Sequence, residues 1–396
     1  MITNRQIAGL PCLVVPNVGQ AYVDLCAAIR SRFDAKTIVI SGSVGKASTK
    51  RVLKEILSTT FRVTASPDHC NARSDVLRML QKLRDDHDVY LQEAHAALPN
   101  AAGQISRALS PDFCVITNID PEDRVNYTSE AEYRHSILSA AEGLGEDGVL
   151  FVNGDDSSLM EGVAELKRKP RRIVTFGVHG NALDYRAENI TFKDGALSMV
   201  IVGKGKRFPL MLDSVVEEKA CNVAAAIAVA VEMGVSDESI SNCFPLNEDY
   251  SDVIEHQGLR MLINFRDESL FPAESGIRAL SHMELGPNGR RIVVLGDLSA
   301  SPDRVEEVHR RIGKRIAESN VDYFLCYGKW ASIAGKEADQ LGFDPEMIGC
   351  YMVRSELVKT LCALLKPGDS LLIRSGRRMG LNATVRRLFG FTEHSV

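Results

Sequence analysis

The sequence predicts an α/β protein: a central P-loop domain built on a parallel sheet with a small antiparallel sheet attached, followed by a second α/β domain of Rossmann type. Three observations predict it. Short β-branched runs alternate with helical periodicity along most of the chain, the pattern of parallel sheets covered by helices. The stretch Thr37–Lys50, TIVISGSVGKASTK, runs strand, glycine-rich turn, lysine, helix. Between Asp184 and Leu212 the pattern changes to loose apolar–polar alternation, which suits an antiparallel meander.

Residues 1–35 hold Leu13-Val14-Val15, a turn near Pro16-Asn17 and a helix over about 20–32, a lead-in too short for a domain. Residues 36–248 form the central domain. Thr37–Ile40 is its first buried strand; further strands are expected at Arg62–Ala65, Val89–Gln92, Phe113–Thr117, Val149–Asn153 and Ile173–Phe176. Helices are expected near 75–84, 101–109, 129–144 and 156–166. Ala187–Phe192, Leu197–Val202 and Phe208–Leu212 make the small sheet, with Lys193-Asp194-Gly195 as a hairpin turn. An alanine-rich helix, Lys219–Met233, and a short one, Asp237–Cys243, close the domain. The turn-forming stretch Pro245–Ser251 marks the boundary, and residues 249–396 form the second domain. Its strands are expected at Met261–Asn264, Arg291–Leu295, Tyr323–Tyr327 and Leu371–Ile373, its helices near 274–283, 303–318, 355–365 and 379–389.

The chain has 396 residues and a formal net charge of −5, so bulk attraction to nucleic acid or anionic lipid is not expected. The basic run Lys167–Arg172 reads as a solvated loop before a strand. Nine cysteines are dispersed without metal spacing, and no apolar run reaches the ~18 residues of a membrane span. A cytoplasmic protein with buried thiols is expected.

The chemistry concentrates at Gly42-Ser43-Val44-Gly45-Lys46. Glycines let backbone N–H groups close on phosphate oxygens, the helix N-terminus adds positive potential, and the lysine adds a point charge. Ala47 stands where a Ser or Thr hydroxyl commonly holds Mg²⁺, so the phosphate cradle is present and the metal hook is not.

The landmarks, in order, resemble the Mur ligases, most closely those that add D-alanyl-D-alanine to a peptidoglycan precursor. ISGSVGKASTK looks like ITGSNGKTTTK. ASPDHCN, ending at Asn71, sits where ATPGNFN is expected. FCVITNI, VNGDD, TFG and the Asn222 of KACNVAAA follow in the family's sequence, and VLGDL, His309, LKPGD and RSGRRM complete it. The resemblance spans about residues 5–390. It implies ATP and Mg²⁺ as cofactors, an acyl phosphate, and an amine that displaces phosphate. It implies Lys46 as the phosphate lysine; Glu93, Asp123 and Ser48 as metal ligands, with Glu93 and Asp123 also catalytic; Gly42, Ser43, Gly45, Ser48, Asn222 and Asp267 as nucleotide contacts; and Asn71, His309, Arg374 and Arg377 as substrate contacts. It also implies that the 1–35 lead-in is the remnant of a UDP-substrate domain. The substrates are then a small carboxylic acid other than the usual muramoyl peptide and an amine, free or within a larger biosynthetic complex.

Several positions depart from the family pattern. No lysine lies between Arg124 and Lys167, where the family carries one as a carbamate. RDESLFPAES, Arg266–Ser275, keeps only Asp267 and Ser275 of DDSYNANPxS. These losses motivate an alternative, a non-catalytic relative acting as a binding or scaffold partner. An unrelated P-loop kinase or NTPase leaves the C-terminal landmarks unexplained.

Overall fold

In the computed structural model the described residues are 2–67, 70–124, 126–193, 195–244, 246, 253–264, 269–376 and 379–390. A parallel pair, β1 (Ile2–Thr3) and β2 (Leu13–Val14), leads into α1 (Val18–Arg30), whose first turn is capped by Asn17 Oδ1 accepting from the Gln20 N–H at 3.0 Å. Arg30 ties this lead-in to the central domain through Nε, which donates to Thr37 Oγ1 at 2.6 Å, while Nη1 donates within the lead-in to the Phe33 carbonyl at 2.6 Å.

The central sheet comprises β3 (Lys36–Ser41), β4 (Val63–Ala65), β5 (Val89–Glu93), β6 (Phe113–Ile116), β7 (Val149–Asn153), β8 (Arg172–Gly177), β9 (Tyr185–Lys193), β10 (Ala196–Gly203) and β11 (Lys206–Leu212). Their spatial order is 11-10-9-8-7-6-3-5-4. Strands β3 to β8 are parallel, and β9, β10 and β11 form the expected antiparallel meander. The meander is not detached. Two residue pairs, Phe176 with Tyr185 and Gly177 with Arg186, join it to β8, so it extends the main sheet. The hairpin turn read at Lys193-Asp194-Gly195 centres on Asp194, outside the described residues, and most of the Pro245–Ser251 boundary lies outside them too.

Helices α2 (Lys46–Ser58), α3 (Arg73–Leu80), α4 (Ala101–Leu109), α5 (Glu130–Leu138), α6 (Ser157–Ala164), α7 (Lys219–Glu232) and α8 (Asp237–Asn242) complete this domain. Side-chain alternation along the strands sorts them onto two faces. Ile38, Ile40, Leu91 and Val115 pack with α2 and α7, whereas Val39, Tyr90, Cys114 and Ile116 pack with residues of α1, α3, α4 and α5. The helix expected over 129–144 stops at Leu138 and tightens into a 3-10 turn, Ser139–Gly143. There Ser139 Oγ donates to the Ser136 carbonyl at 2.6 Å, and Ser106 Oγ donates to the Ala140 carbonyl at 2.5 Å. In the basic run, Lys169 Nζ donates to the Val163 and Ala164 carbonyls, a cation at the end of α6, and Arg172 begins β8.

The second sheet holds β12 (Val253–His256), β13 (Leu259–Asn264), β14 (Arg291–Gly296), β15 (Tyr323–Tyr327), β16 (Ile348–Tyr351) and β17 (Ser370–Arg374), in spatial order 12-13-17-14-15-16. Its helices are α9 (Leu270–His282), α10 (Val305–Ala317), α11 (Ala331–Gln340), α12 (Arg354–Leu364) and α13 (Leu381–Phe389). Sequence patterning misses β12, α11 and β16. The core side of α11 is made only of small residues, Ala331, Ala334, Gly335 and Ala338, so it lacks the large apolar stripe that marks a helix. The two strands are four residues each and lie at the sheet's edges.

The two domains meet through α7 and α9. Glu218, at the start of α7, accepts from Ser275 Oγ at 2.5 Å and pairs with Arg278. Phe192 of β9 stacks on His282 of α9, ring centroids 3.8 Å apart. Among the described residues no helix is long and apolar enough to cross a membrane.

Candidate active site

The chain passes from β3 to β5 and β4 on one side and to β6 on the other, so β3 ends at the switch point where open α/β sheets bind ligands. The turn 42–45 leaves β3 there and enters α2. Gly42 has φ +130° and Gly45 φ +85°, conformations that L side chains rarely adopt. A Cβ on Gly42 would overlap the Thr117 hydroxyl, and one on Gly45 would lie 2.5 Å from Asn222 Oδ1. Gly45, as N-cap of α2, offers the helix's leading N–H groups no side-chain partner, which is the arrangement an anion can use.

Neighbouring segments fix the turn. Asn118, after β6, accepts from the Val44 N–H through Oδ1 at 2.9 Å and from the Ser43 N–H through its carbonyl at 3.0 Å. Thr117 Oγ1 donates to the Val44 carbonyl at 2.6 Å. Lys46 is buried, and its ammonium donates to the Gly42 and Ser43 carbonyls at 2.7 and 2.6 Å, so its charge sits under the turn. Asn222, on the first turn of α7, lies against Gly45 and within 3.3 Å of Thr49 Oγ1. Lys46, Gly42, Ser43, Gly45 and Asn222 therefore come together. Ser48 lies half-buried on the first turn of α2.

Glu93, at the end of β5, is paired with Lys50 at 2.5 Å, both side chains under 5% exposed; Lys50 Nζ also donates to the Ser66 carbonyl at 2.7 Å. Asp123 lies in the 3-10 turn Pro121–Asp123 and accepts from the Tyr133 hydroxyl at 3.0 Å. The same hydroxyl is 2.9 Å from Ser43 Oγ, which accepts from the Asp120 N–H at 2.8 Å. Burial, reinforced by the Asp123 charge, pushes the Tyr133 phenol well above its ordinary pKa, so it stays a neutral donor. Tyr133→Phe is expected to lower stability by about 1–3 kcal/mol, because Asp123 loses a buried partner; urea unfolding measures it. Lys50, Asn118 and Tyr133 are the contributors that sequence reading misses. Lys50 carried a signal: it stands four residues after Lys46 on one helix face. Tyr133 carried none, since only the fold brings it to Ser43.

Glu93, Asp123 and Ser48, which the resemblance implies as metal ligands, lie on three separate elements, β5, the 3-10 turn Pro121–Asp123 and α2. Among the described residues no group of three or more His, Cys, Asp or Glu could hold a metal ion. Glu93 is committed to Lys50, Asp123 accepts from Tyr133, and Ala47 offers no oxygen. Any Mg²⁺ at this turn would therefore take most of its ligands from nucleotide phosphates and water rather than from a protein cage.

His309 does not meet the substrate-contact role read for it. It is fully buried in α10; Nδ1 lies 2.6 Å from the Val305 carbonyl and Nε2 accepts from the Leu298 N–H at 3.0 Å. Burial lowers its pKa, so the ring is a neutral strut with both nitrogens occupied rather than a substrate contact. Asn71 accepts from the His95 N–H through its carbonyl at 3.0 Å. Arg374 ends β17, 6% exposed and packed against Gly276. Asp267 and Arg377 lie outside the described residues.

Beside the turn, a cleft of about 380 Å³ separates the domains. Asn118, Asp120, Asn153 and Asp156 line the central side, and Phe271, Glu274 and Arg311 the other. Asp156 accepts from the Ile119 N–H at 2.7 Å and from the Leu159 N–H at 2.9 Å; Asp155 gathers the N–H groups of Val178, His179 and Gly180. Both carboxylates thus hold the rim in shape.

Residues 40–230 match the family model described as the Mur ligase middle domain. The UDP-N-acetylmuramoyl-tripeptide–D-alanyl-D-alanine ligase of Bacillus subtilis is 23% identical over 95% of this chain and 80% of its own length. The protein of the same name from Synechocystis is 23% identical over 100% and 85%. Among solved structures, MurF from Acinetobacter baumannii superposes with a TM-score of 0.87 at 21% identity, covering 98% of this chain and 84% of that one. MurF ligase from Thermotoga maritima in complex with ADP gives 0.80 at 17%, covering 98% and 88%.

Proposed function

We propose that this protein, whose residues 40–230 match the Mur ligase middle domain and whose fold is similar to that of MurF, binds ATP on the 42–46 turn and is a diverged ATP-dependent ligase joining a carboxylate to an amine. The observation that carries this reading is the turn itself: two left-handed glycines, Lys46 beneath it and Asn222 over it, at the switch point of the sheet and beside the interdomain cleft. A ligand cleft of this size suits small substrates.

In this reading the leading N–H groups of α2 and the Lys46 ammonium hold the phosphates. The γ-phosphoryl group passes to the substrate carboxylate, and the amine then displaces phosphate from the acyl phosphate. Phosphoryl transfer asks the protein for positioning and charge neutralisation more than for covalent chemistry. Lys46 supplies charge, Asn118 and Thr117 hold the turn, and the domain interface excludes water. The substrates are a small carboxylic acid and an amine; no step is assigned to a protein-held metal.

A second reading, a non-catalytic relative acting as a binding or scaffold partner and in its nucleotide-binding form sharing the turn, is favoured by one observation, the engagement of Glu93 by Lys50 where the resemblance implies a metal ligand. Calorimetric titration with ATP, with and without Mg²⁺, tests the shared premise. Lys46→Ala is expected to weaken ATP binding about 10- to 100-fold, the loss of a charge-assisted contact of roughly 1.5–3 kcal/mol. Phosphate release with a panel of acids and amines separates the readings: acid- and amine-dependent release supports the ligase, and ATP binding without it supports the non-catalytic relative. Unchanged affinity in Lys46→Ala would remove both.

A further inference from the structure

A second reactive feature lies in the C-terminal domain and does not rest on the nucleotide reading. Strands β15 and β16 pair in parallel with Cys326 directly opposite Cys350. Adjacent strands lie about 4.7–4.9 Å apart, within the roughly 4.4–6.8 Å Cα separation that a disulfide accepts. Both side chains face α11. A methyl group built on Gly335 would sit 3.0 Å from Cys350 Sγ and 3.1 Å from Cys326 Sγ, so the two sulfurs flank one point. Both are free thiols and are not joined.

The two thiols are in unlike surroundings. Cys326 is fully buried, and burial raises its pKa. Cys350 is exposed on the edge strand. The neighbouring Cys326 thiol, with the Lys336 charge, pulls its pKa down to about 6. An exposed thiolate beside a buried protonated thiol is the arrangement of an attacking and a resolving cysteine.

We propose that Cys350 and Cys326 form a peroxide-reactive dithiol that closes to an intramolecular disulfide between β15 and β16. The Cys350 thiolate attacks one oxygen of hydrogen peroxide; the O–O bond breaks, leaving a sulfenic acid and hydroxide. The Cys326 sulfur then attacks the Cys350 sulfur, the S–O bond breaks, and the Cys326 proton leaves with the departing hydroxyl as water. The hydroxide takes up the proton that Cys350 released on ionising, so two thiols are oxidised by two electrons in all and one peroxide is reduced to two waters.

The test uses the full chain. Stoichiometric hydrogen peroxide is expected to remove two hydrogens from the intact mass, yield a cross-linked peptide containing Cys326 and Cys350, and be reversed by dithiothreitol. Cys350 is expected to alkylate about 3- to 10-fold faster than Cys362, an exposed cysteine on α12, near neutral pH. In Cys326→Ser, a sulfenic acid trapped by dimedone at Cys350 is expected; in Cys350→Ser, Cys326 is expected to stay reduced. The proposal is overturned if oxidised protein keeps both thiols, if the cross-link joins other cysteines, or if Cys350 alkylates no faster than Cys362.

Discussion

Lys50→Ala is expected to cost about 3–5 kcal/mol of stability, the usual penalty for stranding one charge of a buried pair. Lys50 and Glu93 are both nearly inaccessible and lie 2.5 Å apart, and the ammonium also satisfies the Ser66 carbonyl. Removing the lysine leaves the Glu93 carboxylate unpaired at the end of β5, beside the turn. The cost belongs to the stranded charge rather than to the net strength of the pair, because desolvation offsets most of the attraction between two buried ions. The double variant Lys50→Met, Glu93→Gln is therefore expected to regain much of the loss. Urea-unfolding midpoints of wild type, single and double variants measure this directly. A single variant within about 0.5 kcal/mol of wild type, the range of an ordinary surface substitution, would show that Glu93 is not held as described.

Gly42→Ala is expected to be comparably severe, about 3–5 kcal/mol, and to abolish ATP binding. Two terms add. At φ +130° an L side chain is strained by roughly 1–3 kcal/mol, and the added methyl would overlap Thr117 Oγ1, an overpacking cost of about 1–3 kcal/mol. Thr117 cannot yield freely, since its hydroxyl holds the Val44 carbonyl. The control is Gly205→Ala, in the turn between β10 and β11. Its φ is +73° with open space around the site, so only the strain remains, about 1 kcal/mol. Unfolding midpoints and ATP titration of the two variants separate strain from collision. Equal effects would mean that the turn does not pack against Thr117.

Most of the architecture was legible because it rests on repeating patterns. The continuous β-branched run Thr37–Ile40 marks a buried parallel strand before any contact is known, and in the fold Ile38 and Ile40 face α2 while Val39 faces the other way. The turn 42–46 was legible for a related reason: glycine at a φ that other residues avoid is a local requirement. Helix α11 was not, because small residues bury a helix closely without marking it.

The sites divide along the same line. Lys46 and Gly45 lie within one turn of each other, so their partnership follows from local spacing. His309 shows the opposite. A histidine after VLGDL suits a substrate contact by position, yet the fold places its ring between the Val305 carbonyl and the Leu298 N–H. The links from Glu93 to Lys50, Asp123 to Tyr133 and Cys326 to Cys350 bridge separations of roughly ten to forty residues, which no local pattern encodes.

By itself, then, the sequence determined the α/β class, the strand–turn–helix at residues 37–58 and its glycine-rich turn, because steric limits on glycine and the short β-branched run of a buried strand act over a few neighbours. Only the tertiary structure decided which charges are neutralised, which candidate contact is buried as a strut and which thiols meet. Those outcomes depend on distance and dielectric between segments remote in the chain, quantities that exist only once the sheets have closed.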